Sequence, residues 1–438
     1  KDMAGLLKPP AARLLIEKLR EAFPDLPLHV HTHDTAGTGV AAMAAAAEAG
    51  ADIIDAALPA MAGLTSQPTM AGMLAAVTTG KGSPEIDPEA IRSLNAYWEL
   101  TRGLYAPFET GLTGYAPDLY EHEIPGGQYT NLRFQAQALG LIDRWESIKR
   151  AYAAANRLLG DVIKVTPTSK VVGDLAQFMV QNDLDERQVR EQADTLSFPL
   201  SVVDFMVGRL GQPHGGFPEP LRSQIIKHEA PLTGRPGATL PDCDFEALRR
   251  ELSEKHDGPI QDVDVVSAAL YPQVFDDYRT YRDEMSDVSV VPTRFFLAAP
   301  EVGEELTVEI ERGKTLVIKL TAVGNLDKKG LRDVFFELNG QPRRVRIRDR
   351  SAEVVEAVRE KATDEAGSVG APMPGSVIGL RVAVEDEVAA GDPLVVLSAM
   401  KMETVVGAPV AGKVTRIAAE LGAQLAAGDL LVELDTQG

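Results

Sequence analysis

The chain has 438 residues, 45% of them hydrophobic, a formal net charge of −20 and one cysteine, Cys243. A chain this long divides into several cores, about three domains by size alone, and its acidic balance argues against nucleic acid or an anionic membrane as partner, since both require a basic footprint. The lone cysteine rules out an internal disulfide framework, fits a reducing compartment and reads as structural, and no apolar run is long enough to span a membrane.

The first residues, Lys1-Asp2-Met3-Ala4-Gly5-Leu6-Leu7, show no initiator methionine, basic leader or cleavage site, and they read as the interior of a longer polypeptide. A helical stretch over 10–22 leads into Leu28-His29-Val30-His31-Thr32-His33-Asp34. A second helical run over 37–49 ends at Gly50, and an apolar strand follows at 51–55. This alternation predicts a (β/α)₈ barrel or another parallel α/β fold. Residues two apart on a strand share a face, so His29, His31 and His33 point the same way, the later ones nearest a barrel's C-terminal mouth. Imidazoles so placed suit Zn²⁺ or a similar ion; packed or hydrogen-bonded histidines are the alternative.

Residues 86–185 turn helical, as in the stripe Trp145, Ile148, Tyr152, Ala155, Leu158 before Gly160. Two stretches interrupt the pattern, Pro125-Gly126-Gly127-Gln128-Tyr129-Thr130-Asn131 and Val165-Thr166-Pro167-Thr168-Ser169-Lys170. On its residues alone the second is a turn whose hydroxyls N-cap a helix. Farther on, strands over 306–311 and 314–323 join through Arg312-Gly313, and strands over 334–338 and 343–348 flank a hairpin turn at Asn339-Gly340. Arg344, Arg346, Arg348 and Arg350 alternate along one face, which reads as a solvated edge strand; contact with an activator or another subunit is the alternative. Residues 351–368 read as a tether.

The C-terminal region repeats itself. Gly370-Ala371-Pro372-Met373-Pro374-Gly375 recurs as Gly407-Ala408-Pro409-Val410-Ala411-Gly412, an offset of 37, and Ala389-Ala390-Gly391-Asp392 recurs as Ala426-Ala427-Gly428-Asp429. Short alternating strands such as 382–388 lie between these markers, so two four-strand copies face each other in a β-sandwich. Ser398-Ala399-Met400-Lys401-Met402-Glu403-Thr404 joins the copies, which puts Lys401 at an exposed hairpin tip. The two-fold repeat centred on Ala-Met-Lys-Met resembles biotinyl or lipoyl carrier domains. The flanking methionines favour the biotinyl type, and the resemblance makes Lys401 the biotin-bearing residue.

The opening heptapeptide together with 29–35 resembles the carboxyltransferase domain of the pyruvate carboxylase family, and Leu210-Gly211-Gln212-Pro213 and Tyr271-Pro272 extend the likeness along essentially the whole chain. The resemblance implies a divalent metal (Zn, Mn or similar) held by Lys1 as a carboxylated lysine and by His31 and His33, the family's aspartate ligand lying upstream of this sequence. It also implies that Thr166 passes a proton between pyruvate and biotin, and that Gln128, Ser169 and Lys170 line the biotin pocket. Thr168 stands where the family usually has serine, so Thr166 is preferred over Thr168 on the motif and not on chemistry.

The expected fold is multi-domain α/β plus β. It comprises the last strands and helices of a (β/α)₈ barrel (1–85), a helical extension (86–270), part of a β-rich central allosteric and tetramerisation domain (271–350), a linker (351–368) and a biotinyl-type β-sandwich (369–438). The expected function is transfer of a carboxyl group from biotin on Lys401 to pyruvate, giving oxaloacetate for anaplerosis or gluconeogenesis. The parent enzyme would use ATP and Mg in an upstream biotin carboxylase domain. Implied partners are a biotin protein ligase, an acetyl-CoA activator and three further copies in a homotetramer, with no nucleic acid or membrane. The compartment is a bacterial cytoplasm, or the mitochondrial matrix in a eukaryote. Two rivals are a biotin-dependent oxaloacetate decarboxylase or transcarboxylase subunit, which usually joins its domains by a flexible Ala/Pro-rich linker, and a non-catalytic biotin-carrying fragment. Roughly five of the eight barrel strands lie outside this sequence, so the fragment alone is expected to be inactive.

Overall fold

In the computed structural model, residues 78–83, 228, 239, 328, 350–358, 364, 400–401 and 437–438 fall outside the described residues, as do the side chains of Ala399 and Met402. Residues 1–103, 108–238 and 359–438 form one unit, and 104–107 with 239–358 form a second.

In the first unit, α1 (Pro9–Ala22) opens on two prolines, where a missing N–H loses nothing, and buries Ala12 and Ile16. Strands β1 (His29–Val30) and β2 (Ile53–Ile54) pair in parallel, with α2 (Gly39–Glu48) as the crossover between them. The alanines of α2 let neighbours come close, and Ala12, Ile16, Val30, Ala42, Met43, Ala46 and Met73 of α3 (Met70–Val77) form one core. The parallel α/β pattern expected from the sequence is present. Helix α4 (Pro88–Leu104) follows.

The next helices are α5 (Leu119–His122), α6 (Gly126–Ala138), α7 (Trp145–Leu158), α8 (Thr168–Gln181), α9 (Glu186–Gln192), α10 (Leu200–Val207) and α11 (Leu221–Ile226). All five members of the α7 stripe, from Trp145 to Leu158, are buried as their spacing requires. Each fully buried aliphatic side chain of this kind contributes about 1.5–3 kcal/mol. Helix α8 is buried continuously from Val171 to Val180 and forms the centre of this core. His122 on α5, its ring against Tyr129, is buried, and burial pushes its pKa down to about 4; the neutral ring accepts the Ile124 N–H at Nδ1 (3.0 Å).

In the second unit, α12 (Phe245–Lys255), α13 (Asp262–Leu270) and α14 (Pro272–Met285) pack around Leu252, Ala268 and Phe275. After α15 (Thr293–Leu297) an antiparallel meander runs β3 (Glu305–Glu311), β4 (Lys314–Leu326), β5 (Leu331–Leu338), β6 (Gln341–Arg348). Asn339 and Gly340 both take positive φ (48° and 78°), as a tight two-residue hairpin turn demands. Strand β6 is the sheet edge and is exposed throughout. Arg344 and Arg346 both reach Asp333 on β5 (2.6 and 3.2 Å), which neutralises part of the basic stripe; Arg350 lies outside the described residues.

The C-terminal repeat folds as two interlocked sheets. The first copy is β7 (Ser368–Gly370), β8 (Gly375–Leu380), β9 (Glu387–Val388) and β10 (Pro393–Ala399). The second is β11 (Met402–Gly407), β12 (Gly412–Ile417), β13 (Gln424–Leu425) and β14 (Leu430–Asp435). One sheet runs β11-β10-β8-β13 and the other β7-β14-β12-β9, so each sheet is built from two strands of either copy, and the two copies interlock instead of facing each other as separate sheets. Both Ala-Ala-Gly-Asp turns close alike. Asp392 accepts the Ala389 N–H and Asp429 the Ala426 N–H (2.8 Å each), with Gly391 and Gly428 at positive φ. The alternating run 382–388 is a strand only at its end: Glu385 has φ 81° and Asp386 accepts the Ala383 N–H (2.8 Å), which turns the chain first. Residues 351–358, most of the first half of the expected tether, lie outside the described residues. Glu360 and Ala362 pair with Leu430 and Gly428 along the sandwich edge.

Candidate active site

Lys1, His31 and His33 come together at the end of β1. Asp2 bridges in parallel to Thr32, its N–H donating to the His31 carbonyl (2.8 Å), which sets Lys1 next to the His-Thr-His step. The Asp2 carboxylate accepts the N–H groups of Ala4, Gly5 and Leu7 and the Thr32 hydroxyl (2.8–3.2 Å), locking the opening turn.

The three histidines are not equivalent. His29 Nε2 meets Asp55 Oδ1 (2.6 Å), His31 Nδ1 meets Asp55 Oδ2 (2.7 Å), and His33 Nδ1 meets the Thr65 carbonyl (2.7 Å). A carbonyl only accepts, so His33 carries its proton on Nδ1; the Asp55 carboxylate imposes the same tautomer on His31. Both rings therefore keep an Nε2 lone pair for a cation, whereas His29 spends its Nε2 on Asp55. Oxygen-anchored imidazoles are the usual state of metal-ligating histidine. The two rings lie 5.3 Å apart, nearly perpendicular at 79°. The His29 hydrogen bond, then that of His31, holds the Asp55 carboxyl below its usual range against a modest opposing effect of burial. Burial pushes His33 down, and the charges of His31 and Lys1 push the same way, which favours the neutral ring. Among the described residues no three His, Cys, Asp or Glu side chains close a metal site by themselves. The donor set thus fits a cation that takes two imidazoles and completes its shell with other oxygens.

Helix α6 connects this cluster to a second one. The Gly126 N–H donates to the Met3 carbonyl (2.9 Å), and a Cβ at Gly126 would lie 2.4 Å from His33 Nδ1 and 2.7 Å from the Thr65 oxygen. Only glycine lets α6 begin against the His33 ring. Two residues on, Gln128 lies across α8, where a Cβ at Gly173 would fall 2.5 Å from its Nε2. The turn before α8 provides Thr166, and the first turn of α8 provides Ser169 and Lys170. The stretch at 125–131, read as a break, forms the first turns of α6.

The two threonines differ in what their hydroxyls do. Thr168 Oγ1 donates to the Ile163 and Val165 carbonyls (2.6 and 2.5 Å) and accepts the Val165 N–H (3.2 Å), fully occupied in shaping the turn. Thr166 is exposed, and its hydroxyl has no hydrogen bond among the described residues. Ser169 is buried; Lys170 is half-buried and pairs with the fully buried Asp174. Sequence reasoning missed Asp55, Gly126, Gly173 and Asp174. A glycine pair at a helix start and another glycine inside an apolar helix were the available signals for two of them.

The carrier sandwich rests on this helical core. Thr404 bridges antiparallel to Pro199 just before α10, the Gly407 N–H donates to Ser197 Oγ (3.3 Å), and Met373 packs on Leu139. Ala399 pairs with Met402. Lys401 falls between them, outside the described residues.

Three family models match the chain: "HMGL-like" over residues 1–97, "Conserved carboxylase domain" over 119–319 and "Biotin-requiring enzyme" over 367–434. A pyruvate carboxylase of Aspergillus niger is 53% identical over 407 residues, covering 92% of this chain and 34% of the relative. The mitochondrial pyruvate carboxylase of Homo sapiens is 52% identical over 408 residues, covering 92% and 35%. The solved carboxyl transferase domain of Rhizobium etli pyruvate carboxylase with pyruvate and biocytin matches at TM-score 0.72 and 47% identity, covering 80% of this chain and 59% of that one. The chain spans about a third of the length of the curated relatives it matches. Its fold is that of the family's barrel-type carboxyltransferase joined to a biotinyl domain. The chain belongs to the pyruvate carboxylase family and corresponds to its C-terminal part.

Proposed function

We propose that this chain moves a carboxyl group from biotin on Lys401 to pyruvate, giving oxaloacetate. One observation carries the reading: a single helix, α6, starts against the His33 ring and two residues later lays Gln128 over Gly173 of α8. The cation-binding face and the biotin-binding face thus share one rigid element. His31, His33 and a carboxylated Lys1 would hold the divalent ion, which when bound polarises the pyruvate keto oxygen and stabilises the charge that develops there. Gln128, Ser169 and Lys170 line the pocket for the ureido ring. The Thr166 hydroxyl accepts a proton from the pyruvate methyl group on one side as it gives its own to a ureido nitrogen on the other, or runs the reverse, without itself becoming charged.

The parent's ATP- and Mg-dependent biotin carboxylation, a biotin protein ligase, acetyl-CoA activation and a tetramer belong to the same proposal. So does location in a bacterial cytoplasm or, in a eukaryote, the mitochondrial matrix.

The test is oxaloacetate formation by the complete protein from pyruvate, bicarbonate and ATP, with and without avidin to sequester the biotin. Formation that requires ATP and is blocked by avidin is expected. Oxaloacetate breakdown with no ATP-driven synthesis would sink the reading in favour of a decarboxylase subunit.

Gly126→Ala tests the shared helix. The added methyl must displace His33 or lift α6, so divalent-cation affinity is expected to fall about 10–100-fold and stability by about 1–3 kcal/mol. Calorimetric cation titration and urea unfolding measure both. An unchanged cation affinity would detach α6 from the site.

A further inference from the structure

We propose that Asp174 is a positioning residue of the biotin pocket: it fixes the Lys170 ammonium in place, and Ser201 on α10 fixes Asp174 in turn. The proposal rests on the assignment of Lys170 to that pocket.

Asp174 sits one helical turn after Lys170 on α8 and is 1% exposed. Its Oδ2 takes both the Lys170 ammonium and the Ser201 hydroxyl (2.6 Å from Oγ), while Oδ1 has no hydrogen-bond partner among the described residues. Burial raises the Asp174 pKa, and the lysine charge opposes that shift.

As a stabilising device this is a poor arrangement. A buried carboxylate with one oxygen unsatisfied is worse for stability than a well-packed apolar side chain, and the neighbours Val172, Leu175 and Ala176 are apolar. Nor does Lys170 require the partner, since its side chain is 41% exposed and water alone would solvate its head. The geometry accomplishes something else. A four-carbon stem with many rotamers is held in one conformation before a ligand arrives, so its ordering is not charged against binding. The ammonium, anchored from below, keeps N–H donors for a neutral acceptor in the pocket, which the ureido carbonyl of biotin provides. The second anchor also has a place in the fold. Ser201 lies two residues past Pro199, the residue that bridges to Thr404 of the carrier. The clamp on the pocket lysine therefore belongs to the helix start on which the carrier rests.

The test uses the complete protein in a Lys401→Arg background, so that no resident biotin competes, with biocytin as the probe. Two quantities are measured: the calorimetric Kd for biocytin, and the rate at which a small amine-reactive reagent labels Lys170, read by mass spectrometry across pH. Asp174→Asn removes the charge without changing shape. It is expected to weaken biocytin about tenfold and to speed Lys170 labelling by a similar factor, because the amine loses the group that holds it in place. Ser201→Ala, which leaves the carboxylate in place but loosens it, is expected to shift both in the same direction by about threefold. Should Asp174→Asn fail to fold, Ser201→Ala decides, and unchanged labelling in it overturns the proposal. Wild-type binding of biocytin with Lys170 labelling unaltered in Asp174→Asn overturns the positioning role alone. No binding of biocytin by the Lys401→Arg protein ends the pocket assignment and the proposal with it.

Discussion

Lys401→Arg is expected to abolish biotin attachment and to lower pyruvate carboxylation by the complete protein by at least about three orders of magnitude. Attachment requires a neutral amine to attack an activated carboxyl, and a guanidinium stays protonated at any working pH. The substitution keeps the charge and most of the length, so the sandwich should not notice it. Its core is made by Val377, Leu394, Val395, Leu397, Val414, Leu431 and Val432, none of which is changed. Intact mass reports the missing biotin, and thermal unfolding of the carrier should stay within a few degrees of wild type. Activity that survives in a protein shown to lack biotin would remove Lys401 from the reaction.

Thr166→Ala is expected to cost carboxyl transfer about 10²–10⁴-fold, the usual worth of a positioned proton-transfer group. ATP-driven carboxylation of biotin in the same preparation stays intact. Thr166→Ser keeps the hydroxyl and should recover most of the rate. Thr168→Ala separates the two threonines. Its hydroxyl is tied to the Ile163 and Val165 carbonyls and the Val165 N–H, so its loss lowers stability by about 1 kcal/mol and the rate by only a few-fold. Equal losses at both positions would mean that neither is the proton carrier and that the turn itself is what matters.

What the sequence disclosed follows from how local each signal is. The α7 stripe, the Asn339-Gly340 hairpin and the 37-residue repeat are periodic or adjacent in the chain; the first two appear as read, and the repeat gives its strands but with the two copies interleaved in both sheets. The His-Thr-His step could be picked out as a candidate because its members are neighbours, but its alternatives stayed open. The choice among the three imidazoles depends on Asp55 and Thr65, which lie 22 or more residues away and carry no local mark. The two threonines were indistinguishable for the same reason: what separates them is the fold of the turn between Ile163 and Thr168, and not their chemistry. Asp174 was invisible because an acid four residues after a lysine on a helix normally reads as a solvated surface pair. Its burial comes from α10 packing across it.

The exchanged strands of the carrier bear on the order of events during synthesis. The sheet containing β10 and β11, which flank Lys401, is completed by β13, and β14 is an interior strand of the opposite sheet. Neither half can close before the other has left the ribosome, because each lacks an edge that only the other supplies. The pairing of β10 and β11 with the rest of the sandwich is thus complete only once residues out to Asp435 have emerged. Loss of β13 and β14 is therefore expected to open both sheets at once, and not the second copy alone.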